Sequence, residues 1–172
     1  MKDNILLPYI ASPSRRIGIF VGFFAFCTIF PALIHSQWIT GPFINATLLL
    51  ATIFLGPAEA IFIGLFPSSV ALTSGILPVA LASMVPFIMI ANALYIKTFS
   101  YGRRFGFWIS AGIAALLKFI FLTLSVIFLL PNLLIPEAVE RVAVLLTWPQ
   151  LVTAIIGACI AFPVLKILKK NT

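Results

Sequence analysis

Charge is what this chain has least of. Only 9% of its 172 residues are charged, and the acids and the single histidine number five in all: Asp3, Glu59, Glu137, Glu140 and His35. Hydrolytic, acid–base or metal chemistry needs such groups in pairs or clusters, and no two here have ligand or triad spacing. No catalytic residue, no metal site and no cofactor are therefore expected, and the chain is read as a non-enzyme. Cysteine is nearly absent too: Cys27 and Cys159 both lie deep within apolar runs. Two such thiols are too few for an iron–sulfur cluster and wrongly placed for a secreted disulfide framework, so packing is their expected role. A Gly-rich phosphate loop ending in Lys-Ser or Lys-Thr is missing, which excludes an ATP site of that kind. The only early apolar stretch, Ile5 to Ala11, is short and broken by Pro8, so the N-terminus is expected to be retained rather than cleaved as a leader.

What the chain has in abundance is apolar surface: 62% hydrophobic residues and a mean hydropathy of +1.20, beyond what a water-soluble core needs. At ~20 residues per crossing, about six helical crossings fill the length and leave only short loops and tails. The expectation is a single all-α integral membrane domain with six spans, near residues 17–34, 42–56, 58–75, 81–99, 106–130 and 149–168, and a short interfacial helix near 137–147. The second and third runs, joined at Gly56-Pro57, are short enough that a re-entrant hairpin is an alternative to two crossings. With six crossings, Lys2, Arg15, Arg16, Lys97, Arg103, Arg104, Lys166, Lys169 and Lys170 fall on one side and Arg141 alone on the other. Positive charge stays inside, so both termini are expected in the cytoplasm. The net charge of +7 then sets topology and meets anionic lipid; nucleic acid is not an expected partner. Trp38 and Trp148 at one boundary, and Tyr95, Tyr101 and Trp108 at the other, fit an interfacial aromatic belt.

Against this background the intramembrane polar residues stand out. Lys118 lies ~18 Å along the fifth run from Gly106, where a cation costs at least ~2.5 kcal/mol unless compensated. It either faces a cavity that receives an anionic or carbonyl-bearing ligand, or snorkels or pairs with helix carbonyls; we take the cavity as the expectation. Asn45 and Asn92 are costly to bury and face either that cavity or a neighbouring helix. For Ser68, Ser69, Thr73 and Ser83, bonding back to their own helix is the expectation. Pro42-Phe43-Ile44-Asn45-Ala46 and Pro86-Phe87-Ile88 with Asn92-Ala93 echo one another too weakly to define a repeat. His35, Gln37, Trp38 and Thr40 form a first outer loop that either closes over a ligand or anchors at the interface. Glu137, Glu140, Trp148 and Gln150 either rim the same opening or, as is the expectation for the two glutamates, only solvate the last outer connection. Gly18 and Gly22, continued by Ala25, make a small-residue strip on the first helix where another helix can approach closely, and Ala60/Gly64, Ala111/Ala115 and Ala154/Ala158 share that spacing.

The stretch Leu55-Gly56-Pro57-Ala58-Glu59-Ala60-Ile61-Phe62-Ile63-Gly64 resembles the Gly-rich link between the second and third helices of energy-coupling factor (ECF) transporter S components. These are small six-helix substrate-binding proteins of prokaryotic membranes. Gly18-Ile19-Phe20-Val21-Gly22 occupies the place of the family's alanine-x-x-x-alanine docking strip, with glycine for both alanines. The resemblance implies a multi-pass protein of the prokaryotic inner membrane that binds a vitamin or other micronutrient in its outer half. It implies docking through Gly18, Gly22 and Ala25 to a membrane T component driven by ATPase subunits in trans. By position, ligand contacts would fall on Trp38, Asn45, Lys118, Trp148 and Gln150. The stretch from Ile39-Thr40-Gly41-Pro42 to Pro86-Phe87-Ile88-Met89 also looks like small bacterial membrane proteins labelled iron hydrogenase. Two cysteines at lipid depth contradict that label, leaving at most a structural or assembly subunit beside such an enzyme.

Overall fold

The computed structural model describes residues 12–34, 36–75, 79–133 and 143–170. Every regular element among them is helical. In chain order they are α1 (Pro13–Leu33), α2 (Gln37–Phe54), α3 (Pro57–Gly64), α4 (Phe66–Thr73), α5 (Val85–Gly102), α6 (Phe107–Leu133) and α7 (Trp148–Lys170), with 3-10 turns at Val79–Met84 and Arg103–Phe105. Five helical stretches are long and apolar enough to cross a membrane, and Pro57–Thr73 is a shorter apolar one. The chain thus fits a multi-pass helical membrane protein. The expected interfacial helix, with Glu137, Glu140 and Arg141, lies mostly outside the described residues, as do His35 and both chain ends; Ala143–Leu146 is helical.

Two boundaries differ from the sequence expectation for physical reasons. The second run was expected to start at Pro42, with residues 35–41 as a loop; instead α2 starts at Gln37 and carries Pro42 inside it. Its first turn is closed by the Ser36 carbonyl, which accepts from the Thr40 amide at 2.8 Å and the Thr40 hydroxyl at 3.0 Å. Packing then holds that turn in place, because Gly41 lies directly against Thr153 of α7, leaving no room for a side chain. Pro42 is the sixth residue of α2, beyond the first turn, so its missing N–H leaves the Trp38 carbonyl without an intrahelical amide donor. The third run, expected from Ala58 to about Gly75 with an interruption at Pro67-Ser68-Ser69, breaks slightly earlier, at Leu65, into α3 and α4, with Pro67 in the first turn of the second piece.

On α6 the buried stripe is mostly small and polar and the outer stripe large and apolar. Ala111, Ala114, Ala115, Lys118, Leu122 and Ser125 are buried, while Ile109, Ile113, Leu116, Ile120, Leu124 and Ile127 are exposed. Both sets recur at helical spacing, so one stripe meets protein and the other is left for lipid. The main pairings are α2 with α7 and α5 with α6. In the first, a Cβ on Gly157 would stand 2.7 Å from the Asn45 Cβ and 2.9 Å from the Ala46 nitrogen and the Pro42 oxygen, so the two backbones touch as only glycine allows. Helix α1 is attached differently, through phenylalanine: Phe24 meets Phe66 of α4 edge-on at 4.9 Å, and Phe30 meets Phe43 of α2 at 5.2 Å.

The cations gather at one end. Arg16 pairs with Glu59 and donates to the Leu55 carbonyl at 3.0 Å, tying the start of α1 to the α2–α3 link. That link turns at Gly56, whose φ of 107° suits glycine. Arg103, Arg104 and Lys166 converge beside Ile53, close to the same end of α2.

Candidate ligand-binding site

At the other end, where α1 finishes and α2 and α7 begin, polar groups from five helices meet around Lys118. The α6 backbone points this side chain inward, and it is only 3% exposed. Its ammonium donates to Asn45 Oδ1 at 2.7 Å and to Asn92 Oδ1 at 2.9 Å. The Tyr95 ring lies on a third side, its centroid 5.3 Å from Nζ. Because an ammonium can only donate, both amides must turn their oxygens toward it and their NH2 groups away. Asn92 accordingly donates to the Gly64 carbonyl at 3.0 Å, and Asn45 faces the Thr153 hydroxyl at 3.4 Å. Tyr95 is itself fully buried and directs its hydroxyl at the Ala154 carbonyl, 3.4 Å away.

This cluster forms one wall of a cavity of about 90 Å³. Gln37, Thr40, Ser68 and Gln150 also line it. Gln37 Nε2 donates to the Leu145 carbonyl at 2.8 Å, which anchors the start of α2 to the segment before α7. Ser68 differs from its neighbours. Thr40, Thr47, Thr52 and Thr73 bond back to the carbonyl four residues earlier, as a hydroxyl in a helix normally does. For Ser68 that carbonyl belongs to Gly64, and the Asn92 amide donates to it. The Ser68 hydroxyl is buried with no hydrogen-bond partner. Back-bonding, the expectation for this residue, does not occur.

Of the five residues expected to touch ligand, the structure brings Asn45, Lys118 and Gln150 to one cavity. Trp38 and Trp148 do not line it; their rings meet at 5.3 Å, both about half exposed, at the same end of the bundle. The expected loop of Gln37, Trp38 and Thr40 is instead the first turn of α2, so these side chains are held in register by the helix. Tyr95, expected at an interface, lies under the lysine. Thr153 and Gly64 were missed as partners; the small-residue pairs Ala60/Gly64 and Ala154/Ala158 were the signal, since both mark where backbones come close enough for an amide to reach across. Gly18 and Gly22 have open space where a side chain would be, and both are exposed.

Three ligating residues of the His, Cys, Asp or Glu type do not come together anywhere among the described residues. Chemically, the cluster can present a buried cation, amide groups and a hydroxyl to a small polar solute. Comparison with protein-family models, with curated proteins and with solved structures returns no match for this chain.

Proposed function

We propose that this chain is the substrate-capture subunit of a micronutrient importer of the energy-coupling factor type, taking its ligand into the cavity beside Lys118. The observation that carries the reading is the Ser68 hydroxyl: buried, unpartnered, and in the wall of the same cavity as a buried ammonium. A buried hydroxyl without a partner costs about 1–3 kcal/mol, a cost that a hydrogen-bonding solute in the cavity removes. In this reading six segments cross the membrane, with α3 and α4 together making the third, and the basic end with both termini faces the cytoplasm. The cavity then opens on the outer side, where nutrient arrives. A volume of about 90 Å³ takes a group of only a few heavy atoms, whereas pockets for drug-sized ligands run to roughly 300 Å³ or more. A vitamin-sized ligand therefore requires the cavity to widen beyond this volume. Energy comes from a membrane T component and its ATPase subunits, met by the α1 face of exposed Gly18 and Gly22 and half-buried Ala25.

A second reading is favoured by a different observation. Two asparagine oxygens and an aromatic face already compensate Lys118, which is what helix-to-helix glue in a structural or assembly subunit requires. Ser68 separates the two. The test is native mass spectrometry of the full chain purified from its own cells in mild detergent, followed by affinity measurements with Ser68→Ala and Lys118→Met. Capture predicts a co-purifying metabolite, lost in Lys118→Met and bound about tenfold more weakly by Ser68→Ala, with thermal stability of the serine variant unimpaired. Glue predicts no metabolite, and a Ser68→Ala chain as stable as the parent or more so. That second outcome would overturn the importer reading.

A further inference from the structure

The cavity beside Lys118 carries a hydrogen-bonding pattern that selects among chemical groups. Lys118 itself needs no counter-ion from a ligand, since two asparagine oxygens and the Tyr95 ring already surround it. What stays unmatched lies elsewhere on the wall. Gln37 Nε2 donates to the Leu145 carbonyl at 2.8 Å, and Gln150 Nε2 donates to the same oxygen at 3.4 Å. A carbonyl can only accept, so it fixes the NH2 end of each amide on Leu145 and makes the other end of each an oxygen. Among the described residues no group donates to either of these oxygens. Thr40 likewise gives its proton to the Ser36 carbonyl and keeps only lone pairs for any other partner. All three residues line the cavity. The Ser68 hydroxyl, in a residue 5% exposed, stands in the α4 wall without a partner and with a proton to give. No acid is part of the lining.

We propose that the group this cavity receives is an uncharged primary carboxamide, an inference that rests on the capture reading and names its substrate class. The carboxamide NH2 donates to the Gln37 and Gln150 oxygens, and its carbonyl accepts from Ser68. Other small groups each leave a mismatch. A carboxylate satisfies Ser68 but sets its oxygens against acceptors that already lack a donor, so lone pairs face lone pairs. A primary ammonium matches the glutamines but adds a second cation to a cavity that holds Lys118 and no acid. A ketone accepts from Ser68 and leaves both glutamines unmatched, and an alcohol brings one proton for two oxygens. A volume of about 90 Å³ holds a carboxamide without widening.

The experiment is a ligand-observed NMR titration of the full chain in detergent with acetamide, acetate and acetone, probes of nearly the same size and shape. Acetamide donates and accepts, whereas the other two only accept. Affinity on the order of millimolar is expected for acetamide, with acetate and acetone weaker by at least ~tenfold. Ser68→Ala weakens acetamide by about tenfold. Gln150→Leu removes the longer of the two bonds to Leu145, so it disturbs the fold less than a change at Gln37, and it narrows the gap between acetamide and acetone to about threefold or less. Acetate or acetone bound as tightly as acetamide by the unaltered chain overturns the carboxamide assignment, whatever the variants do. An acetamide preference that survives both variants unchanged belongs to another place on the protein and overturns it as well. Capture is judged separately, by the co-purifying metabolite. A carboxylate metabolite together with a preference for acetate removes the carboxamide and keeps capture, whereas no metabolite and no probe binding removes both.

Discussion

Helices α1 and α2 are neighbours in sequence and opposites in the fold. The span in α1 has a mean hydropathy of 1.9 and is 11% buried in the protein; that in α2 has a mean hydropathy of 1.2 and is 61% buried. In water the more apolar helix would be the one hidden. Here the order is reversed, because lipid tails solvate leucine and phenylalanine as well as a protein interior does. Burial instead goes to the helix whose small residues permit close approach and whose polar groups need partners. The contrast explains where function can sit: α2 supplies Asn45 and Thr40 to the polar interior, while α1 offers its surroundings an apolar flank and a groove.

The hardest blow to this contrast is a side chain placed where α2 and α7 touch. Gly157→Val puts its Cβ within 3 Å of two α2 backbone atoms, which cannot rotate away as a side chain would. A loss of about 3 kcal/mol is expected, read as a large fall in the thermal midpoint of the detergent-purified protein, with much of the chain aggregating. Gly22→Val on α1 is the matched control, since nothing lies within 4 Å of the added atom. Equal melting of the two variants would mean that the α2–α7 contact is not the structural axis of the bundle.

A smaller effect probes the polar interior. Asn45→Leu leaves the Lys118 ammonium with one amide acceptor instead of two, and should cost about 1.5–3 kcal/mol. Replacing the cation as well, in Asn45→Leu with Lys118→Met, removes the group that needed the acceptor, so the double variant should be more stable than Asn45→Leu alone. A double-mutant cycle on thermal or denaturant unfolding measures the coupling, which direct contact places at about 1 kcal/mol or more. Strict additivity would show that the two side chains do not depend on one another.

How far the site could be read from sequence follows from the same contrast. Lys118 and Asn45 were legible because a charge or an amide within an apolar run is costly anywhere in a membrane, whichever way it faces. The helical class and the gathering of cations at one end were legible for a similar reason, since both follow from composition along the chain. What could not be read was contact between helices. Thr153 is one threonine among several until α7 is laid against α2, and Tyr95 reads as an interfacial aromatic until α6 places a cation above it. The start of α2 at Gln37 was hidden because Pro42 normally marks a helix beginning, and the packing of Gly41 on Thr153 outweighs that local signal. Ser68 is the sharpest case. Its hydroxyl finds no acceptor beside the α3–α4 break, where the Gly64 carbonyl accepts from an asparagine 24 positions after Ser68, an arrangement no local pattern encodes.

The smallest expected change in stability tests the outward half of the comparison. Of four small-residue pairs at the same spacing, Ala60/Gly64, Ala111/Ala115 and Ala154/Ala158 are buried within the bundle, and Gly18/Gly22 alone is exposed. Spacing by itself therefore does not say which strip is used inside the fold, but the fold leaves one of them over. Gly18→Leu with Gly22→Leu should shift unfolding by no more than ~0.5 kcal/mol, because both positions are exposed and nothing lies within 4 Å of the added Cβ atoms. If the strip meets a coupling subunit, the same double variant should lose that partner on purification from its own cells while keeping any ligand bound beside Lys118. Loss of ligand together with the partner would tie the two faces of the molecule together; an unchanged complex would leave the α1 groove as lipid-filled surface and move the docking face elsewhere.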